Sequence, residues 1–165
     1  MIPNFCSAFI CFSLLTASIS HANEASYTVT YVYDGDTVKL RPINSNNKKN
    51  DFKHRLTEID APERNQDYGL KSRRALIKLC QGNDILVTTE VIAKDKYRRS
   101  LGRLNCNHID ASLYLVEQGL AWNYVGHSSN VYIYNAEINA HKKRLGLWVD
   151  SKPTPPWAWR REHSH

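Results

Sequence analysis

Two runs of alternating, β-rich residues, Tyr27–Tyr33 and Thr37–Arg41, are separated only by Asp34-Gly35-Asp36. An Asp-Gly step between two such runs is a strong turn signal, which commits the chain early to an antiparallel hairpin. Three more strand-like segments follow, at Phe52–Ile59, Ile85–Ile92 and Ser100–Asn105. Pro62 stops the first of these, and the basic stretch Lys94–Arg99 joins the other two. Pro42–Asp51 is polar and rich in Asn and Lys, and reads as a loop.

Helical spacing begins at Tyr68–Cys80, where Ser72, Ala75, Leu76, Leu79 and Cys80 share a face and Gly82 follows as a stop. Asp110 is placed to cap a short helix over Ala111–Gln118, which Gly119 ends. A third helix is expected over Val131–Arg144, with Val131, Tyr134, Ile138 and Leu145 on one stripe. Strands first and helices later indicate the α+β class with a small barrel. From Lys152 onward, three prolines and two tryptophans suggest an extended tail.

Phe5–Ile19 is apolar and uncharged, and the small-residue site Ser20-His21-Ala22 follows it. This reads as a signal peptide over residues 1–22, removed after Ala22, and implies a secreted or periplasmic protein. About 15 apolar residues interrupted by Ser and Thr are too few to span a bilayer comfortably. The expected organisation is therefore a signal segment, one domain over 23–150 and a Pro/Trp-rich tail over 151–165. A monomer with no membrane attachment after cleavage is expected.

Residues 1–22 contain no Lys, Arg, Asp or Glu, so the formal charge of +6 belongs to what remains. Such a charge suits a polyanionic partner, of which nucleic acid is the commonest, and cell-wall polymers or membrane surfaces fit the same number. Cys80 and Cys106 remain after cleavage, and either a disulfide or two separate buried thiols would suit them. The pattern argues against a zinc site, because His108 lies near Cys106 without a second close pair to complete a tetrahedral set.

The chemistry concentrates in three short segments: Asp34-Gly35-Asp36-Thr37, then Arg55 through Asp60-Ala61-Pro62-Glu63, then Asp95-Lys96-Tyr97-Arg98-Arg99. Asp36, Asp60 and Glu63 offer carboxylate oxygens of the kind hard cations take, the latter two on a loop stiffened by Pro62. Arg55 and Arg99 offer planar forks that match phosphate oxygens and never lose their charge. Each segment alone has an ordinary reading, as a hairpin tip, a solvated strand arginine or a solvated basic turn. Together they supply what phosphodiester hydrolysis needs, because the attacked phosphorus gathers negative charge and water must lose a proton to attack it.

These segments, with Leu115–Ala121 and Leu145-Gly146-Leu147-Trp148, resemble staphylococcal nuclease (thermonuclease) homologues, in order, from about Tyr27 to Trp148. The resemblance implies a five-stranded OB-type barrel with three helices and a Ca²⁺-dependent nuclease acting on DNA and RNA to leave 3′-phosphate ends. It implies Asp36, Asp60 and the Ala61 carbonyl as Ca²⁺ ligands and Glu63 as general base. Arg55 and Arg99 would stabilise the transition state, and Tyr97, Tyr124 and Lys96 would hold substrate.

The chain departs from that pattern at Arg98, where glycine is usual; this implies either a strained or re-aimed Arg99 with weakened activity, or a turn of another type in which Arg98 adds a phosphate contact. The Glu63–Leu70 loop is also short by comparison. The competing reading is a noncatalytic OB module that binds nucleic acid. Trp157-Ala158-Trp159-Arg160-Arg161 is a candidate partner or nucleic-acid contact, against the simpler expectation that its tryptophans fold back onto the barrel.

Overall fold

A computed structural model of the protein describes residues 25–124 and 130–163, so the expected signal segment lies outside the described residues. Five strands close a barrel: β1 (Ser26–Val32), β2 (Thr37–Pro42), β3 (Phe52–Leu56), β5 (Val87–Lys94) and β6 (Ser100–Cys106). β2 lies between β1 and β3, and β1 pairs with β5, which pairs with β6, all antiparallel. A parallel pairing of β3 with β6 completes the ring, with Arg55 opposite Leu101. This is the OB-type α+β architecture expected from the sequence.

Alternation along the strands turns Val29, Val32, Val38, Leu40, Leu56, Val87 and Leu104 inward, all fully or nearly fully buried. Burial of each such side chain contributes about 1.5–3 kcal/mol of hydrophobic stabilisation. The barrel bends at β-bulges between Val29 and Tyr31 and between Val91 and Ala93. Gly102 lies at the second bend, where an added Cβ would run into the Glu90 carbonyl.

The expected strand over Phe52–Ile59 is interrupted. β3 ends at Leu56, and a two-residue strand β4 (Ile59–Asp60) leaves the barrel to pair with β8 (Trp122–Asn123). The small strand β7 (Ile109–Asp110) folds back antiparallel on the end of β6. Helix α1 (Gly69–Cys80) buries Ser72, Leu76 and Cys80 against the barrel. Asp110 caps α2 (Ala111–Glu117) through the amides of Ser112 and Leu113, and Gly119 ends it at φ +65°. Cys80 and Cys106 form a disulfide, Cα atoms 5.2 Å apart, tying the end of α1 to the end of β6.

Helix α3 (Val131–Lys142) forms as expected but presents another face to the core. Ile133, Ala136 and Ala140 are buried, whereas Val131 and Tyr134 of the expected stripe are more than half exposed. The small Ala side chains let α3 approach α2 closely, and the larger aromatic residues are left outside. The tail is also not extended. Pro155 and Pro156 start a fourth helix, α4 (Pro156–Glu162), with Pro156 at its first position, where a missing N–H costs nothing. No helix among the described residues is long and apolar enough to cross a membrane.

Candidate active site

The functional residues meet at one end of the barrel because two strand pairings bring their backbones together. Thr37 stands opposite Arg55 across β2 and β3, and the Leu56 amide donates to the Asp36 carbonyl. The turn before Asp36 is closely overlain. A Cβ on Gly35 would collide with Ser72 of α1 and with Ala61, so glycine lets both sit directly over the turn. The β4–β8 pairing then sets Asp60 opposite Trp122, at the edge of the same end.

Asp36 and Asp60 are almost fully buried and share one guanidinium. Arg55 lies 2.6 Å from Asp36 Oδ1 and 3.0 Å from Asp60 Oδ1, with its side chain only 16 % exposed. Asp36 also accepts from the Thr37 hydroxyl at 2.9 Å and the Ala61 amide at 2.8 Å. A carboxylate held by three donors in this way is fixed in orientation before any ligand arrives. Asp34 lies beneath it, accepting from the Asp36 amide at 3.0 Å. Burial, reinforced by the neighbouring Asp36 charge, pushes the Asp34 carboxyl up to about 7. For Arg55, burial opposes the charged form, and the surrounding carboxylates more than offset it, keeping its proton tightly held.

The other wall is the turn between β5 and β6. Asp95 accepts from the Tyr97 and Arg99 amides and from Arg99 Nε at 2.7 Å, so Arg99 is held by its own turn rather than by the barrel end. Lys96, Tyr97 and Arg99 line the groove facing Asp36, Asp60 and Glu63, with Lys96 and Arg99 both close to the Tyr97 ring. Tyr97 is 67 % exposed. Ala61 and Tyr124 line the same groove, which encloses about 1120 Å³. Every catalytic, metal-ligating and substrate-holding residue that the resemblance implied therefore borders one cavity.

Three contributors were missed from sequence. Asp34 and Lys53 also line the groove, the former hidden within an ordinary turn signal. The third is Arg160 of α4, whose guanidinium makes paired contacts to Asp60, 2.7 Å to Oδ2 and 3.1 Å to Oδ1, and reaches Glu63 Oε1 at 2.8 Å. The basic, Trp-rich pattern of the tail marked it as a possible contact, but nothing local indicated that it would return to residues 97 and 100 positions earlier.

A family model described as staphylococcal nuclease homologue matches residues 53–150. A protein of Haemophilus influenzae named an uncharacterized endonuclease is 35 % identical over 156 residues, covering 94 % of this chain and 83 % of its own length. A micrococcal nuclease of Shigella flexneri is 32 % identical over 146 residues, covering 81 % of this chain and 79 % of its own. The chain belongs to the staphylococcal nuclease family. It spans only 33 % of the length of a staphylococcal-like nuclease of Arabidopsis thaliana, to which it is 36 % identical over 110 residues.

Family membership makes Arg98 informative. Its backbone is left-handed at φ +64°, and its amide donates to the Asp95 carbonyl at 3.0 Å. The turn thus keeps a glycine-type conformation with an arginine in it. A side chain in that region costs about 1–2 kcal/mol.

Proposed function

We propose that the protein is an exported, Ca²⁺-dependent nuclease that hydrolyses phosphodiester bonds of DNA and RNA and leaves 3′-phosphate ends. One observation carries this reading: Asp36, Asp60, Glu63 and Arg55 converge at one end of the barrel, with Arg99 across the same groove. The names of the Haemophilus and Shigella relatives support the same activity.

The donor set suits a hard cation. Asp36 and Asp60 share the charge of Arg55, Asp60 also holds Arg160, and their donors are oxygens. Among the described residues no three acidic, His or Cys side chains stand as a ready-made cage, so water and substrate oxygens would complete the shell, as is common for such ions. Asp36, Asp60 and the Ala61 carbonyl would be the protein ligands. When bound, the ion supplies charge neutralisation at a nonbridging phosphate oxygen.

The chain's own residues do the rest. Glu63, about one-third exposed at the groove edge, is positioned to take the proton from water as it attacks phosphorus. Arg55 and Arg99 approach the phosphate from opposite walls, where charge develops on its oxygens. The exposed ring of Tyr97 gives a base a face to stack on, worth roughly 1–3 kcal/mol with little sequence preference. Export through residues 1–22 belongs to the same proposal, as does a monomeric state.

Degradation of single- and double-stranded DNA and of RNA, in Ca²⁺ and in excess chelator, with Glu63→Gln alongside, tests the reading. Ca²⁺-dependent cleavage that leaves 3′-phosphates and is lost in the variant is the expected result. Salt-sensitive binding of DNA without cleavage would replace it with a noncatalytic nucleic-acid module.

A further inference from the structure

We propose that Arg160 is a third phosphate-binding arginine of the groove, parked on Asp60 and Glu63 until a cation engages Asp60. The inference rests on the metal-dependent nuclease reading and extends it to a residue outside the matched family region, which ends at residue 150.

Arg160 is delivered, not stray. The buried Gln66 side chain accepts from the Glu63 amide at 3.1 Å and donates to the Thr154 carbonyl at 2.6 Å, tying the start of the tail to the Glu63 loop. Pro156 is buried, and Trp157 packs at 6.3 Å from the Trp122 ring and 6.4 Å from the Tyr124 ring. Trp122 belongs in turn to a second small core with Ala140, Leu147 and Trp148. Four separate attachments on the residues just before Arg160 therefore fix where α4 points its guanidinium. Arg160 itself lines the groove together with Arg55, Arg99 and Tyr97.

Charge explains why a guanidinium is useful there. Asp36, Asp60 and Glu63 carry three negative charges, and Arg55 and Arg160 return two positive ones. With a divalent cation added, the sign of the set reverses to one net positive charge. A phosphodiester then restores neutrality. Both oxygens of Asp60 are engaged by arginines, Oδ1 by Arg55 and Arg160 and Oδ2 by Arg160. An incoming cation that takes Oδ2, the oxygen bonded to Arg160 and not to Arg55, must therefore displace Arg160 from it. The freed guanidinium, still tethered through Trp157 and Gln66, has the planar donors that fit phosphate oxygens in pairs. A merely structural latch would lose its anchor at that moment and gain nothing in return.

The experiment uses the whole protein, with Arg160→Gln and Arg160→Lys beside it, and two titrations. One measures Ca²⁺ binding alone by calorimetry. The other measures, in saturating Ca²⁺, binding of a dinucleotide whose 5′ bridging oxygen is replaced by CH₂ so that it cannot be cleaved. Arg160→Gln is expected to weaken the analogue about tenfold, the scale of one charged hydrogen-bonding partner. The same variant should bind Ca²⁺ several-fold more tightly when alone, since no guanidinium has to be displaced. Arg160→Lys, which keeps the charge and loses the fork, should fall between, and serves if the Gln variant fails to fold. Unchanged analogue affinity would overturn the inference, as would Ca²⁺ and analogue binding falling together, the mark of a latch. Failure of the unaltered protein to bind the analogue in Ca²⁺ would overturn the nuclease reading along with it.

Discussion

The two walls of the groove are built on different principles. The carboxylate wall is assembled from residues far apart in sequence. Asp36, Arg55 and Asp60 are brought together by the β2–β3 and β4–β8 pairings, and their polar atoms are buried and multiply bonded. The basic wall is a single turn, Asp95–Arg99, held by hydrogen bonds within itself and carrying an exposed tyrosine and a strained arginine. Charge that must be positioned to a fraction of an ångström sits on the barrel, and groups that meet a variable substrate sit on a local loop. The difference implies that damage to the first wall spreads into stability, whereas damage to the second remains confined to function.

Paired substitutions of Arg55 and Arg99 can break that contrast. Arg55→Met leaves Asp36 and Asp60 facing each other without a buried cation, and stability should fall by about 3–5 kcal/mol in urea unfolding at pH 7. Millimolar Ca²⁺ should recover part of the loss, if the same carboxylates hold the ion. Arg99→Met removes a partly exposed ion pair and should cost at most about 1 kcal/mol of stability. Its loss in kcat should nevertheless be roughly 100- to 1,000-fold, the scale of one preorganised donor. Equal losses of stability in the two variants would erase the distinction between the walls.

Acidification probes the barrel side through His54, which precedes Arg55 in β3 and is completely buried, with Nε2 3.0 Å from the Thr89 hydroxyl. Burial holds its folded value down to about 4, against an ordinary 6.5. The unfolded chain therefore binds more protons within that window. The contribution is whole above 6.5 and is lost as pH falls toward 4, and it amounts to about 2 kcal/mol between pH 7 and pH 5. In His54→Gln that part of the pH dependence should vanish from the stability curve. An unchanged slope would place the acid sensitivity elsewhere.

The smallest effect should come from the basic turn. Arg98→Gly relieves the left-handed strain at φ +64° but gives up chain stiffness in the unfolded state, for a net gain of about 0.5–1 kcal/mol. A thermal melt would register that gain as a rise of a few degrees. Destabilisation instead would mean that the Arg98 side chain is held by contacts stronger than the strain.

Legibility in the sequence followed the range of the interactions. Asp34-Gly35-Asp36 marked its hairpin, and Asp110 and Gly119 marked the two ends of α2, because turns and caps are decided by a residue and its immediate neighbours. Segment order was enough to indicate an α+β chain with a small barrel, and the family resemblance supplied the OB type and the residues that all border one groove. The phase of α3 was not readable. Val131, Tyr134 and Ile138 have helical spacing, but Ile133, Ala136 and Ala140 have it too, and only the fit against α2 selects the face with small side chains. The split of Phe52–Ile59 depends on Trp122 and Asn123 being available as partners for Ile59 and Asp60.

Two cysteines compatible with either state became a disulfide only once α1 and β6 set their Cα atoms 5.2 Å apart. Arg160 is the extreme case. Its sequence neighbourhood describes a basic, aromatic tail, and its role follows from ion pairs to residues about a hundred positions away. The sequence by itself determined the chemical inventory and the local turns, because those depend on side-chain type and on dihedral preferences of adjacent residues. Tertiary structure decided which of the distant charges neutralise which, because electrostatic partnership depends on distance in space, and strand pairing and the docking of α4 set that distance.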